Sequence, residues 1–99
     1  MTSHMNKTYR RSEDVLIRNV AGENMLVPIN ASFPESVLMM LSETGAFLWE
    51  KLEKARTLEE LIEIVMDEFE GDKSVFEKDI EEFLNHLLNN KLISMEEMI

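Results

Sequence analysis

The chain has 99 residues, a length that fits one domain with a modest core. It contains no cysteine, which excludes disulfides, thiolate metal sites and thiol nucleophiles. Its formal net charge is −10, so its surface repels phosphate backbones and we expect no nucleic-acid partner. No apolar segment reaches membrane-spanning length and no signal peptide is visible, so we expect a cytoplasmic protein without a membrane partner.

The first third of the chain predicts a hairpin. Residues 1–5 (MTSHM) look like an expression-tag remnant, and residues 6–13 are expected to form a flexible arm. Two aliphatic, β-branched segments follow, and the turn between them places Gly22 where a positive φ is needed. Pro28 lacks an N–H, so we expect it at an unpaired edge or a bulge. Residues 30–36 are predicted to form a loop.

Residues 37–41 (VLMML) are all apolar and predict a third strand. This strand lacks the in-and-out alternation of a half-buried sheet. The pattern leaves two interpretations open: the strand is buried on both faces, or one face lines a groove that accepts a partner. An exposed apolar edge is usually blunted by charge or proline. An unblunted edge suits a peptide that adds itself as a further strand.

Three helices are predicted after the third strand. Ser42 is the expected N-cap of the first, which carries a core Trp49. Residues 57–60 (TLEE) form a capping-box pattern that begins the second helix, and Gly71 is expected to end it in the left-handed conformation. Residues 74–77 (SVFE) repeat the pattern for the third helix. Three strands followed by three helices predict an α+β fold, because parallel pairing needs crossovers that this order lacks.

The sequence shows no constellation for catalysis. His4 lies in the suspected tag, and His86 shares the polar side of the third helix with Glu82, where a solvated histidine is the ordinary interpretation. There is no His-x-x-x-His pair and no glycine-rich phosphate loop. The many carboxylates lie on the outer faces of amphipathic helices, which are normally solvated surface. We therefore expect no catalytic residue, no metal site and no cofactor.

Three segments resemble the PqqD family. They are residues 41–49 (LSETGAFLW), residues 56–61 (RTLEEL) and the ending at 83–93. These small proteins are named for pyrroloquinoline quinone (PQQ) biosynthesis and are also called RiPP recognition elements, RiPPs being ribosomally made, modified peptides. The resemblance covers residues 14–94, which we take as the domain, and leaves 95–99 as a C-terminal tail.

One position departs from the family pattern. Relatives often have glycine before the terminal Leu-Ile, where this chain has Lys91. We expect Asn89 or Asn90 to adopt the left-handed conformation at this helix end instead.

The resemblance implies a winged-helix-like domain, with an N-terminal three-stranded antiparallel sheet packed on a three-helix bundle. It also implies a non-catalytic peptide chaperone. Members bind the leader of a precursor peptide by strand addition at the third strand and present it to a modifying enzyme, often a radical SAM protein. The implied peptide-binding residues are Val37, Leu38, Met39 and Met40 on the strand, and Phe76, Ile80, Phe83, Leu84 and Leu87 on the third helix. Spacing does not settle which of the five helix residues face the groove rather than the core.

Two other functions stay open. A structural adaptor or dimerisation domain would use the same strand edge on a second copy, giving a homodimer by strand pairing or swapping. A winged-helix DNA-binding regulator needs a basic recognition helix, but the outer faces of the second and third helices are acidic. Only Lys7, Arg10 and Arg11 could then touch DNA.

Lys73 and Lys78 lie near the start of the third helix. In a peptide-binding protein they could attract acidic residues of the leader.

Overall fold

The computed structural model describes residues 7–29 and 39–97. The suspected tag, the loop at 30–36 and the strand residues Val37 and Leu38 lie outside the described residues. The elements in chain order are β1 (Lys7–Arg11), β2 (Val15–Val20), β3 (Glu23–Pro28), β4 (Met39–Leu41), α1 (Glu43–Lys51), α2 (Leu58–Glu68), α3 (Lys73–Asn89) and β5 (Ile93–Glu97). The fold is α+β and winged-helix-like, as expected.

The predicted sheet consists of β2, β3 and β4 in that order, all antiparallel. The β2–β3 hairpin turns at Ala21 and Gly22, whose φ values are 53° and 85°. Two successive positive φ angles are typical of the type I′ turn that matches strand twist, so the expectation for Gly22 is confirmed. Pro28 is the last residue of β3. β4 lies at one edge of this sheet.

A second, two-stranded sheet was not expected. β1 pairs antiparallel with β5, in a register that runs from Lys7↔Glu97 to Arg11↔Ile93. Tyr9 also exchanges two backbone hydrogen bonds with Arg56, at 2.8 and 3.0 Å. Residues 7–11 are therefore a strand rather than a flexible arm, and 95–97 belong to β5 rather than to a loose tail. Local composition cannot reveal a pairing partner at the other end of the chain.

The caps of α1 and α2 are as predicted. Ser42 Oγ accepts the Gly45 N–H at 3.1 Å and begins α1. At α2, Thr57 Oγ1 accepts the Glu60 N–H at 3.1 Å, and Glu60 Oε1 accepts the Thr57 N–H at 2.9 Å. This reciprocal pair is a complete capping box, so two N–H groups that the helix cannot satisfy have partners.

The predictions for the α2–α3 connection were wrong. α3 begins at Lys73 with Asp72 as its N-cap, and Asp72 makes no side-chain cap bond. Residues 74–77 therefore lie inside the helix and cannot form a second capping box. Gly71 does not have a positive φ; among the described glycines that conformation belongs to Gly22. Close packing, described below, gives Gly71 its role instead.

The end of α3 also differs from expectation. Asn90 has a φ of −98°, whereas Lys91 has a φ of 61°. The Lys91 N–H donates to the Leu88 carbonyl at 3.0 Å, and the Leu92 N–H donates to the Leu87 carbonyl at 2.9 Å. These two bonds form a Schellman motif, which requires a left-handed residue at this point. Lys91 thus adopts the conformation that glycine adopts at low cost.

The core joins both sheets to the helices. Trp49, expected in the core, is 1% exposed and is the largest of its fully buried side chains among the described residues. The buried apolar residues are Val15, Leu26, Leu41, Leu48, Trp49, Leu52, Leu61, Ile62, Val65, Ile80, Leu84, Leu87, Leu92 and Ile93. Because the set includes residues of β2–β5 and all three helices, the three-stranded sheet is stabilised by the helices rather than standing alone.

Candidate functional site

An open groove of about 560 Å³ separates β4 from α3, with the N-terminal half of α1 as its floor. Most of its surface is apolar, the property expected of a ligand-binding cleft. The lining residues are Met39, Ser42, Thr44, Gly45, Leu48, Phe76, Asp79, Ile80, Glu82, Phe83 and His86.

The β4 wall depends on strand alternation. Met39 is partly buried and lines the groove, whereas Met40 is 60% exposed and does not line it. Successive side chains of a strand point to opposite faces, which accounts for this difference. The apolar segment is therefore not buried on both faces, and in its described part Met39 is the residue that contributes to the groove. Val37 and Leu38 lie outside the described residues.

The α3 wall contains part of the predicted set. Phe76, Ile80 and Phe83 line the groove at a spacing of four and three residues, which puts them on one side of the helix. Leu84 and Leu87 do not line it and belong to the core, where they are 2% and 0% exposed. Ile80 is equally buried, at 2%, but does line the groove. The groove therefore gives the two leucines no support as peptide-binding residues, and that role stays a prediction. The groove-lining residues and the two core leucines belong to one apolar stripe of α3, and their spacing alone does not show which of them face the groove.

Polar residues at the rim were missed. Asp79, Glu82 and His86 line the groove from α3, although the polar pattern of the helix indicated ordinary solvated surface for Glu82 and His86. The spacing of these polar residues from the groove phenylalanines could have indicated their position. Asp79 follows Phe76 by three residues and His86 follows Phe83 by three, so they lie over the same side of the helix.

Two glycines lie beside the aromatic residues of the groove. A Cβ added to Gly45 of α1 would lie 3.5 Å from Phe83 Cε1, an ordinary van der Waals contact, so α1 packs beside Phe83 here without requiring glycine. A Cβ added to Gly71 would lie only 2.8 Å from Phe76 Cζ. The absence of a side chain at Gly71 thus allows the Phe76 ring to pack against the α2–α3 connection while it lines the groove.

The charged groups in the groove are mainly acidic. Asp79 and Glu82 line it, whereas no lysine or arginine within residues 7–29 and 39–97 does. Lys73 and Lys78, which could attract acidic residues of a leader but are more simply interpreted as solvated lysines, are not among the lining residues. Among the described residues the sole ion pair is Arg10–Glu13, at 3.7 Å, so the rim acids make none there.

The other end of α1 has a different chemistry. Arg11 Nη1 donates to the Trp49 carbonyl at 3.2 Å, and Arg56 Nε donates to the Lys51 carbonyl at 2.7 Å. Cationic donors at the C-terminus of a helix satisfy its last carbonyls and complement its dipole. This end of α1 is therefore capped by two arginine side chains, one from β1 and one from the α1–α2 connection.

Two further kinds of site are absent from the described part of the chain. There, no group of three or more histidine, cysteine, aspartate or glutamate residues is placed to hold a metal ion. No helix in those ranges is both long and apolar enough to cross a membrane.

Two solved structures share the fold. One is TbiB1 in complex with the TbiA(beta) leader peptide, with a TM-score of 0.67 and 24% identity, covering 86% of this chain and 94% of that chain. The other is lasso peptide synthetase B1 complexed with the leader peptide, with a TM-score of 0.67 and 15% identity, covering 87% of this chain and 96% of that chain. At these identities the similarity establishes the fold alone. No curated protein matches the chain.

A family model gives the stronger result. The model described as Coenzyme PQQ synthesis protein D (PqqD) matches residues 31–93. The match spans β4, all three helices and the first residue of β5, and so includes every element that lines the groove. Because it covers more than half of the chain, this protein belongs to the PqqD family.

Proposed function

We propose that this protein is a non-catalytic peptide chaperone that binds the leader of a ribosomally made precursor peptide. The observation that carries the proposal is an apolar groove beside the edge strand β4. Membership of the PqqD family supports it. So do the two structures of similar fold, each of which contains a leader peptide.

The leader binds as an added strand. In the described sheet β4 has a neighbour on one side only, so its other side offers backbone donors and acceptors to an extended chain. Alternate side chains of such a peptide point the same way, and those on the inner face meet Met39, Phe76 and Phe83. Backbone bonds then give affinity, and the fit of apolar side chains gives selectivity.

The bound leader is presented to a modifying enzyme, of the radical SAM class that the family resemblance implies. In this arrangement the present chain supplies binding and the enzyme supplies the chemistry. The remainder of the precursor leaves the groove and reaches the enzyme's active site.

An NMR titration tests the proposal directly. Labelled protein is titrated with the leader of a precursor peptide encoded beside its gene. We expect shift changes confined to β4, the first turns of α1 and the groove side of α3. Changes spread elsewhere, or none at high peptide excess, would contradict the proposal.

Two methionine-to-glutamate substitutions, one inside the groove and one outside it, make the test more specific. Met39→Glu puts a charge into the apolar groove and should weaken binding by at least about tenfold, which is about 1.4 kcal/mol. Met66→Glu is the control, because Met66 lies on α2, is 41% exposed and does not line the groove. Unchanged peptide affinity in a folded Met39→Glu variant would show that the groove is not the peptide-binding site.

A second copy of the chain is the other candidate for the β4 edge. Pairing of two β4 strands, or strand swapping, would form a homodimer at the surface proposed for the leader. Mass measured over a range of concentrations, with and without the leader, separates these occupants. The leader should dissociate any such dimer.

The DNA-binding alternative is not favoured. Lys7, Arg10 and Arg11 belong to β1 and are paired with β5 rather than extended as an arm. The groove face of α3 adds acidic rather than basic groups, and these repel a phosphate backbone.

A further inference from the structure

We propose that the groove selects leaders that place a lysine or arginine beside their apolar anchors, with Asp79 and Glu82 receiving the cation. This inference rests on the proposed function, because it names the chemistry of the same peptide. Selection by charge makes the rim of α3 a specificity determinant, whereas the apolar wall supplies affinity.

The two carboxylates are placed for one cation. Asp79 and Glu82 both line the groove and are three residues apart on α3, a spacing at which Cβ atoms lie about 5–6 Å from each other. Phe83 follows Glu82 directly and shares the lining. The aliphatic stem of a lysine or arginine can therefore lie along the apolar wall while its charged head reaches the rim.

Neither acid has a cationic partner in the described structure. Lys78 precedes Glu82 by four residues on α3, yet the two form no ion pair. In the described part of the chain, no lysine or arginine lines the groove. The carboxylates are therefore hydrated in the free protein and available to an incoming cation.

Loss of water from the two carboxylates on peptide binding favours peptides that carry a cation at this position. A strand seated in the groove displaces water from the rim, and a carboxylate covered by an apolar side chain loses hydration without gaining a partner. A peptide carboxylate at this position adds repulsion between like charges. Lysine or arginine restores hydrogen bonds to the carboxylates, and arginine does so with a planar fork of donors.

The charge of the whole chain does not explain this preference alone. A net charge of −10 attracts any cationic peptide at long range, and salt weakens that attraction. Local pairing at the rim is distinguished by its dependence on two particular side chains. A matched pair of acids elsewhere therefore provides the control.

The experiment compares three synthetic peptides of alternating valine and threonine that differ only at one central valine position. That position carries arginine, citrulline (its neutral analogue) or glutamate. Affinities are measured by NMR titration at low and at moderate salt. We expect the arginine peptide to bind at least about tenfold more tightly than the citrulline peptide, and the glutamate peptide to bind most weakly.

Two charge-matched double variants locate the effect. Asp79→Asn with Glu82→Gln should abolish the preference for arginine over citrulline. Glu63→Gln with Asp67→Asn removes the same charge from an exposed face of α2 and should keep the preference. All four substitutions preserve side-chain shape at exposed positions, and circular dichroism checks that both variants fold.

Each result bears on one of the two proposals. Equal affinity for the three peptides, or a preference that survives in the Asp79–Glu82 variant, would overturn the selection by charge and leave peptide binding intact. Failure of all three peptides to bind, where the leader itself binds in the titration, would overturn the selection by charge and keep the proposed function. Failure of the leader as well would overturn both.

Discussion

α3 carries two apolar surfaces that look alike in sequence and differ in structure. Leu84 and Leu87 are 2% and 0% exposed and belong to the core, against α2 and β5. Phe76 and Phe83 are only partly buried and line the open groove opposite β4. Helical periodicity finds the apolar side of a helix, but what covers that side depends on the neighbouring elements. An apolar side chain that its own chain leaves partly uncovered is a candidate for binding.

The largest effects are expected from alanine substitutions in α3, one on its core surface and one on its groove surface. Leu87→Ala should lower the free energy of unfolding by about 2–5 kcal/mol, because it leaves a cavity in the core. Phe83→Ala should cost less stability, since part of its ring already faces solvent, but it should remove most of the peptide affinity. Urea denaturation and peptide titration of both variants check this. Equal losses of stability, with binding intact in Phe83→Ala, would refute the distinction.

Gly71→Ala tests whether a residue that does not line the groove holds Phe76 in its place in the groove wall. The new Cβ would lie 2.8 Å from Phe76 Cζ, so the ring must move. Overpacking of this kind costs about 1–3 kcal/mol, and the displaced ring should weaken peptide binding although residue 71 does not line the groove. Gly22→Ala is the control, because it strains the hairpin turn at a φ of 85° and leaves the groove unchanged. Full affinity in Gly71→Ala would show that Phe76 is not held by this contact.

Lys91→Gly should increase the free energy of unfolding by relieving the left-handed residue at the end of α3, without affecting either apolar surface of the helix. A left-handed conformation costs a non-glycine residue about 1–2 kcal/mol, and the greater freedom of glycine in the unfolded chain offsets about 0.4–1 kcal/mol of that. We therefore expect a gain in stability of up to about 1.6 kcal/mol and unchanged peptide affinity. Thermal unfolding checks the gain, and a loss of stability would mean that the Lys91 side chain contributes more than its backbone conformation costs.

The smallest effect concerns a third side of α3, where Glu81 approaches Tyr9. Burial, then the charges of Glu81 and Glu59, raise the pKa of Tyr9 above its ordinary value. The neutral phenol is therefore favoured in the folded state, so its contribution to stability is complete below about pH 10. That contribution is lost as the pH rises further. Above about pH 10, wild-type stability should fall more steeply with pH than the stability of Tyr9→Phe. Parallel urea midpoints would contradict this.

Features that depend on neighbouring residues could be predicted from the sequence. The Ser42 cap, the capping box at residues 57–60 and the positive φ of Gly22 each follow from side chains within a few positions. The pairing of β1 with β5 could not be predicted, because a strand's partner at the far end of the chain leaves no trace in local composition. Lys91 was misjudged because hydrogen bonding, rather than residue preference, decides which residue turns left-handed.

The groove was predicted in part for the same reason. Strand and helix patterns proposed Met39, Phe76 and Phe83, which line it, but could not separate them from Met40 and the core leucines of α3. That separation requires the position of α1 between β4 and α3. The binding role of these residues remains a prediction, which the titrations above test.

The β1–β5 sheet also determines how the domain can be tethered. It places residue 7 beside residue 97, and the Arg11 N–H donates to the Leu52 carbonyl at 2.9 Å, just after α1 ends. The groove lies at the opposite end of α1, a helix of 9 residues and therefore about 13 Å in length. A fusion partner, linker or affinity tag joined to either strand therefore leaves from one place, on strands that do not line the groove. The domain can thus be held by one end, or inserted into a host polypeptide by both, through a sheet that is not part of the groove wall.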